Sequence, residues 1–415
     1  MVVSASGVSS SVCFFRGGGL SPNSAPKNHR PMVSRCCNAS LITNPDSFEV
    51  GRLIGSYGFL NVTSYSGGLQ SAMDLEFSAP DSGKLRVQDI GEGDVKIRLY
   101  EGRIVQGPLR RTPVIFKVYP GKQVGGIESD LMAANELSAH ASLQGSSNAV
   151  VCQNIQMLLG GFETKTGEQW LAFRNDGKYT AADYAKVTSE KLSKAREHGD
   201  QNSWNPYAKD EIFKRRRKYV AKLLQGAMRG LAYMHDRDRL HQSLGPVSVV
   251  VNTMVDKEAT YLVPQLRDLA FSVDIRYSEL AERSMLSEGL WRRATAAAAF
   301  TPLEKRAFGI ADDIYEAGLL FAYLAFVPFC ETGVMDSLSL RRLLENTFRL
   351  DIEAMREYCL ADDRLVEAVK FLDLDDRAGW QLLQDMLNQD FRQRPIAEAV
   401  LNHRLITGAL VQEIV

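Results

Sequence analysis

The stretch "RLHQSLGPVSVVV", Arg239–Val251, decides how the rest of the chain is read. It passes from a polar loop, punctuated by Gly245 and Pro246, into the β-branched run Val249–Val251. Such a run after Gly and Pro reads as a short strand leaving a turn. His241 is its one imidazole, and no carboxylate stands between Arg239 and Val251. What the loop means depends on the landmarks that flank it, and on their order.

Just upstream, "KDEIFKRRRKYVAKLLQGAMRGLAYMH" places Ile212, Val220, Leu223, Leu224, Ala227, Met228 and Leu231 at helical spacing. Its basic cluster, Lys214–Lys218, reads most simply as the solvated face of that helix, with docking of an acidic partner as the other reading. Further back, "DVKIRLY", "RIVQG", "PVIFKVYPG" and "EQWLAFRNDG" have the composition of strands. Between them "ESDLMAANELSAHASLQ" reads as one helix, with Leu131, Ala134, Leu137 and Leu143 on its apolar face. Downstream come a second β-like run, "ATYLVPQLRDLAF", and then mainly helical sequence to Val415.

Five segments carry residues at telling places. "VIFK" ends on Lys117, with Glu136 nineteen residues later in the helix and Glu128 as a second candidate partner. "GLAYMH", Gly230–His235, leads into the loop; "RDLAF" holds Asp268; "DIYEAG", Asp313–Gly318, and "FRQRPIAEAVLNHRLI" follow. In this order they resemble the landmarks of the protein kinases, with "RLHQSLGPVSVVV" in the register of the catalytic loop. Only the register on His241 sets Leu244, Pro246 and the valine strand in place; Asp238 in "HDRD" does not. The resemblance implies an α+β, bilobal kinase-like fold with a small β-rich N-lobe and a larger helical C-lobe. It also implies that Arg394 pairs with a glutamate, for which Glu304 of "TPLEK" offers itself.

"EQWLAFRNDGKYTAADYA", "DLAFSVDIR", "DIYEAGLLFAYLAF", "FLDLDDRAGWQLLQDML" and "RQRPIAEAVLNH" together are similar to the plant chloroplast state-transition Ser/Thr kinases of the thylakoid. That likeness spans roughly Phe48 to Ile406. The opening residues agree with it independently. Residues 1–40 are Ser-rich and mildly basic, and the first acid of the chain is Asp46, so they read as a chloroplast transit peptide with removal near Cys36 or Cys37. The expected organisation is therefore that peptide, an N-lobe over 46–178 with an insertion at about 63–111, and a helical C-lobe over 179–410. The longest apolar run, Ala317–Phe329, is shorter than the roughly 18 residues that cross a bilayer, and reads as a core helix. No segment after the transit peptide reads as transmembrane, which leaves peripheral membrane association open.

Phosphoryl transfer needs phosphates held, Mg²⁺ ligated and a hydroxyl oriented by a carboxylate. In the kinase register Ser243 stands in place of that carboxylate, Gly245 in place of a lysine and Ser248 in place of the metal-binding Asn. Gly55 of "LIGSYGFLNV" is the remaining glycine of a phosphate loop in which Tyr57 and Leu60 replace the others; "IGEGDV", Ile90–Val95, is the second candidate. Gly55, Lys117, Glu136 and Asp268 thus form the candidate set for ATP, with Asp268 the candidate Mg²⁺ ligand. The alternative for Lys117 and Glu136 is an inherited ion pair that fixes the helix without a ligand.

The expected function is that of a pseudokinase, a regulatory, scaffold or assembly factor for thylakoid or stromal proteins. Its partners would be photosystem subunits or an active kinase. The alternative is a low-activity atypical Ser/Thr kinase of thylakoid proteins, drawing a carboxylate from elsewhere, such as Glu92 or Asp94. A third reading is a structural subunit whose cleft Tyr57 and Leu60 fill. A net charge of −1 gives no field pointing to nucleic acid. Six scattered histidines and six cysteines without a CxxC pair give no zinc pattern or disulfide framework.

Overall fold

The β-branched and aromatic runs of the first third pair into one antiparallel sheet. In the computed structural model, which describes residues 41–63, 84–89, 95–145, 151–197, 206–276 and 286–411, its strands are β1 (Phe48–Thr63), β2 (Lys84–Asp89), β3 (Ile97–Ile104), β4 (Pro113–Tyr119), β5 (Leu158–Glu163) and β6 (Gln169–Arg174). They lie in the order β2-β1-β3-β4-β6-β5. The transit-peptide segment, the IGEGDV glycines and the acids Glu92 and Asp94 fall outside the described residues.

The insertion expected over 63–111 is shorter than the sequence suggested. β3 lies inside that span, yet it bridges β1 and β4, opposing Ser56 with Arg98 and Phe116 with Tyr100. Ile97 and Ile104, at its two ends, are fully buried, so this strand belongs to the core of the lobe. The extra sequence is confined between β1 and β3, where β2 pairs back onto β1. It therefore falls between Thr63 and Ile97, still ahead of Lys117 but before β3 and not after it.

Helix α1 (Lys122–Gln144) packs under the sheet, with a kink at Gly126 (φ 66°). Its buried face is Met132, Ala133, Glu136, Ala139, His140 and Leu143. The face expected from Leu131, Ala134 and Leu137 is rotated from this one; Leu137 and Ala134 are exposed. Two polar residues on the inner face, Glu136 and His140, misled the hydrophobic pattern.

The chain then crosses through β7 (Tyr179–Thr180) and α2 (Ala181–Glu197) to α3 (Pro206–His235). Val220, Leu223, Leu224, Ala227, Met228 and Leu231 of α3 are buried as expected, but Phe213 is turned inward and Ile212 outward. The basic cluster is not a uniform solvated face either. Arg216 is 4% exposed, lies over the Phe329 ring and bonds Glu367 at 2.8 Å. Beyond α3 come β8 (Arg239–Leu240), β9 (Val249–Val251), β10 (Gln265–Leu266) and β11 (Val273–Asp274), all short. The two ends of "ATYLVPQLRDLAF" lie in 3-10 turns, Asp256–Tyr261 and Leu269–Phe271, and only Gln265–Leu266 between them is strand.

The rest of the lobe is helical: α4 (Glu288–Ala296), α5 (Pro302–Phe326), α6 (Ser337–Arg342), α7 (Ile352–Leu360), α8 (Val366–Leu372), α9 (Leu374–Met386), α10 (Ala397–Leu401) and α11 (Arg404–Val411). α5 is the apolar run read as a core helix; Ala317, Leu320, Phe321, Leu324 and Phe326 are all buried on it. No described helix is long and apolar enough to cross a membrane. Glu304 does not reach Arg394. It closes a capping box with Thr301 at the start of α5, where the free backbone amides of a first turn need an acceptor. Arg394 is instead held by the carbonyls of Asn388 and Ala311, at 2.7 and 3.0 Å. The result is the bilobal, kinase-like α+β fold that the motif order implies.

Candidate functional site

β4, α1 and the turn after β10 bring the charged candidates together. Lys117 points inward from β4 and donates to Glu136 Oε1 of α1 at 2.8 Å and to Asp268 Oδ1 at 2.8 Å. Glu136 in turn accepts from the Leu269 amide at 3.2 Å, and Asn135 donates to the carbonyls of Ala270 and Ser272. Glu128, the other candidate partner, is not the residue that meets Lys117. Asp268 sits in the left-handed region (φ 68°), which a non-glycine residue adopts at a cost and which these bonds hold in place.

Tyr57 closes the site. Its phenol donates to Asp268 Oδ1 at 2.6 Å, and its ring lies 5.6 Å from Lys117 Nζ and 5.8 Å from the Arg267 guanidinium. Arg267 Nε stands 3.2 Å from Asp268 Oδ2. Tyr119, two residues beyond Lys117 on the same strand face, donates to the Glu136 carboxylate. Lys117, Glu136, Asp268, Tyr57 and Tyr119 are all buried. Two carboxylates, two cations and two phenols thus satisfy one another in a region withdrawn from water, as buried charges require.

The electrostatics follow from this closure. Burial pushes the Asp268 carboxyl up, but Lys117 and Arg267, with the bonds from Lys117 and Tyr57, outweigh it and hold the group at about 2. Burial raises both phenols well above their ordinary range, and the neighbouring carboxylates raise them further, so Tyr57 and Tyr119 stay neutral donors. His140, one turn beyond Glu136, is fully buried with neither ring nitrogen hydrogen-bonded. Burial, then the Lys117 charge, lowers it to about 3.

Gly55 lies in β1 opposite Leu99, two residues before Tyr57, and a side chain added there would meet nothing within 4 Å. It is a strand residue. Leu60 continues β1 opposite Val87.

The loop Arg239–Val251 keeps its scaffold. Asp313 of α5 accepts from the amides of His241 and Gln242, at 2.8 and 3.0 Å, and from His235 Nε2 at 3.0 Å. Gln242, at φ 59°, adds its side-chain amide to Asp313 at 3.0 Å. Ser243 is buried, and its hydroxyl donates to the Asp268 carbonyl at 2.7 Å. Ser248 Oγ receives the Gly245 amide and donates to the Gly245 carbonyl, both at 2.8 Å. These hydroxyls tie the loop to itself and to the neighbouring turn. Asp238, the rejected alternative, pairs with Arg306 at 2.6 Å on the other side of the turn.

The residues fit a phosphate-bound metal poorly as they stand. Asp268 Oδ1 is shared by Tyr57 and Lys117, its Oδ2 faces Arg267, and neither Ser243 nor Ser248 offers a carboxylate or amide oxygen. Among the described residues no cluster of three His, Cys, Asp or Glu side chains has the makings of a metal site. Cys152, Cys330 and Cys359 are free thiols; burial, above all, pushes the last two up to about 12, which suits packing more than reactivity.

Sequence reasoning missed Tyr119, Arg267 and His140. The period of two along a strand pointed to Tyr119, and direct adjacency to Asp268 pointed to Arg267. Nothing in the pattern singled out His140.

The fold defined by these two lobes, with an ion pair in the cleft and an anchored loop below it, is that of a protein kinase. Among solved structures, the chain is similar to that of a Stt7 homolog from Micromonas algae, soaked with ATP. The TM-score is 0.53 at 16% identity, covering 95% of this chain and all of that one. No protein-family model matches the chain, and no curated protein does.

Proposed function

We propose that this kinase-fold protein works by docking and not by phosphotransfer, as a regulatory or scaffold factor for thylakoid or stromal proteins in the chloroplast. The observation that carries the reading is the Tyr57 phenol on Asp268, beside Lys117, inside a fully buried network. A phosphate and its Mg²⁺ would need the same carboxylate and ammonium, so ATP has to displace Tyr57 to enter. The loop supports the reading: a kinase needs a carboxylate where Ser243 stands, and the Ser243 hydroxyl is committed to the Asp268 carbonyl. The low-activity kinase alternative lacks a comparable observation. The chloroplast assignment rests on the composition of residues 1–40 and on the likeness to the state-transition kinases.

The test is a thermal-shift titration with ATP and Mg²⁺ on the wild type and on Tyr57→Gly. A ligand that binds only the folded state raises the melting temperature in proportion to the logarithm of its excess over Kd. The wild type is expected to show no saturable shift at millimolar nucleotide, and Tyr57→Gly, though less stable, to gain one. Metal-dependent phosphorylation of a thylakoid protein by the wild type, abolished by Lys117→Ala, would refute the proposal.

A further inference from the structure

Under the loop residues Leu244–Pro246 the helical lobe holds a pocket of about 40 Å³ that the cleft does not use. Its walls include Leu319, Leu320 and Leu340, and at Gly245 an added side chain would meet nothing within 4 Å. Glu316 of α5 lines it, buried to 5% exposure. The nearest cation is Arg341 Nη2, at 3.5 Å. That guanidinium is already committed to Glu345, whose two oxygens receive Arg341 Nε at 3.1 and 3.0 Å. Arg341 Nη2 itself has no hydrogen-bond partner. Glu345 is further satisfied by the Tyr315 hydroxyl at 2.7 Å.

One arginine thus serves two carboxylates, and Glu316 has from it only the 3.5 Å approach of Nη2 and no hydrogen bond. Buried carboxylates are ordinarily hydrogen-bonded, and Arg341 Nη2, at 3.5 Å, leaves Glu316 room for a further donor from the pocket. Burial lifts Glu316 to about 7, against the pull of Arg341; Asp312 and Glu345 push the same way as burial, and Arg293 opposes them.

We propose that this pocket receives a lysine side chain of a partner protein, the ammonium donating to the Glu316 carboxylate and the methylenes lying against Leu319, Leu320 and Leu340. A cavity of this size accommodates about three water-sized groups, enough for an ammonium and its last methylenes. An apolar stem with a compact charged head is the chemistry of lysine, whereas a guanidinium asks for a wider, bidentate seat. The inference rests on the docking function proposed above and gives it a recognition element.

The probe is n-butylammonium chloride, with n-butanol as its neutral counterpart and sodium chloride as the ionic-strength control, titrated against the full chain by thermal shift. The expected result is a saturable rise with butylammonium that butanol and salt do not reproduce. It disappears in Glu316→Gln and in Ser337→Trp, where an exposed wall residue is enlarged without touching the core. Below pH 7, where Glu316 takes up a proton, the apparent affinity falls by up to about tenfold per pH unit. Three results would overturn the inference: an equal shift with butanol, a butylammonium shift that survives Ser337→Trp, or none at about 0.1 M, a concentration ample for so small a ligand. The assay contains neither nucleotide nor phosphoacceptor. A phosphotransfer activity would therefore sink the docking role without moving this signal, and a silent pocket would leave the closed cleft standing.

Discussion

In the cleft, charged side chains pair with one another; in the loop below it, the backbone amides are anchored and the side chains between Arg239 and Val251 include no carboxylate. Lys117, Glu136 and Asp268 still meet at 2.8 Å, but Tyr57 and Arg267 complete their coordination. In the loop, Asp313 still holds the His241 and Gln242 amides, while Ser243, Gly245 and Ser248 bring neither carboxylate nor ammonium. The difference shows that two sets of forces keep this fold. Buried charges must be paired, because each alone would be costly. Backbone amides must remain satisfied whatever side chains they carry.

The cleft is most sensitive at Lys117. Lys117→Ala leaves Glu136 and Asp268 facing each other with Arg267 as the nearby cation, and should cost about 3–5 kcal/mol in urea unfolding. A loss under about 1 kcal/mol would mean that water reaches the cleft and that its closure is slight. Asp313→Asn tests the loop in the same assay. It keeps the shape but withdraws an acceptor from buried donors, for an expected loss of about 2–3 kcal/mol. If it proves costlier than Lys117→Ala, the loop scaffold and not the cleft is the main anchor between the two regions.

His140 makes the stability of the cleft region depend on pH. Its folded value, about 3, lies below its unfolded 6.5, so its contribution is intact above pH 6.5 and is lost as pH falls from there toward 3. His140→Leu removes that penalty. Relative to wild type the variant should gain about 2 kcal/mol between pH 7 and pH 5, at about 1.4 kcal/mol per unit. Parallel pH profiles would show that the imidazole finds a partner in solution. Asp268 acts at the far acid end, where the stability of its ionised form, full above 3.8, is lost as pH falls through about 2. The smallest effect is expected of Ser248→Ala. It removes both bonds to Gly245 and should cost about 1 kcal/mol, with faster hydrogen exchange at the Gly245 amide as the direct readout. Unchanged exchange there would mean that the Ser248 bonds do not hold the Gly245 turn.

Much of the cleft was legible because kinase landmarks are spaced by secondary structure: Lys117 on a strand, Glu136 nineteen residues on in a helix, and Asp268 after a short strand. Less was legible wherever a polar residue faces inward. The buried side of α1 carries Glu136 and His140, so its apolar pattern pointed to the wrong face. The same holds for Arg216 on α3, hidden inside a run of five basic residues. The span of the insertion was misjudged because β3 is a half-buried strand with polar residues along its middle, which local sequence does not separate from a loop.

The order of elements, the bilobal plan and the absence of a carboxylate from the loop could be read from the amino-acid order, because periodicity and residue identity are local properties. Folding alone sets Tyr57, 211 residues from Asp268, over the cleft, and sets Glu316 at a pocket with its nearest cation shared with Glu345. Both facts depend on which distant side chains share a dry volume. Charge pairing and desolvation are set by that volume and not by neighbours along the chain.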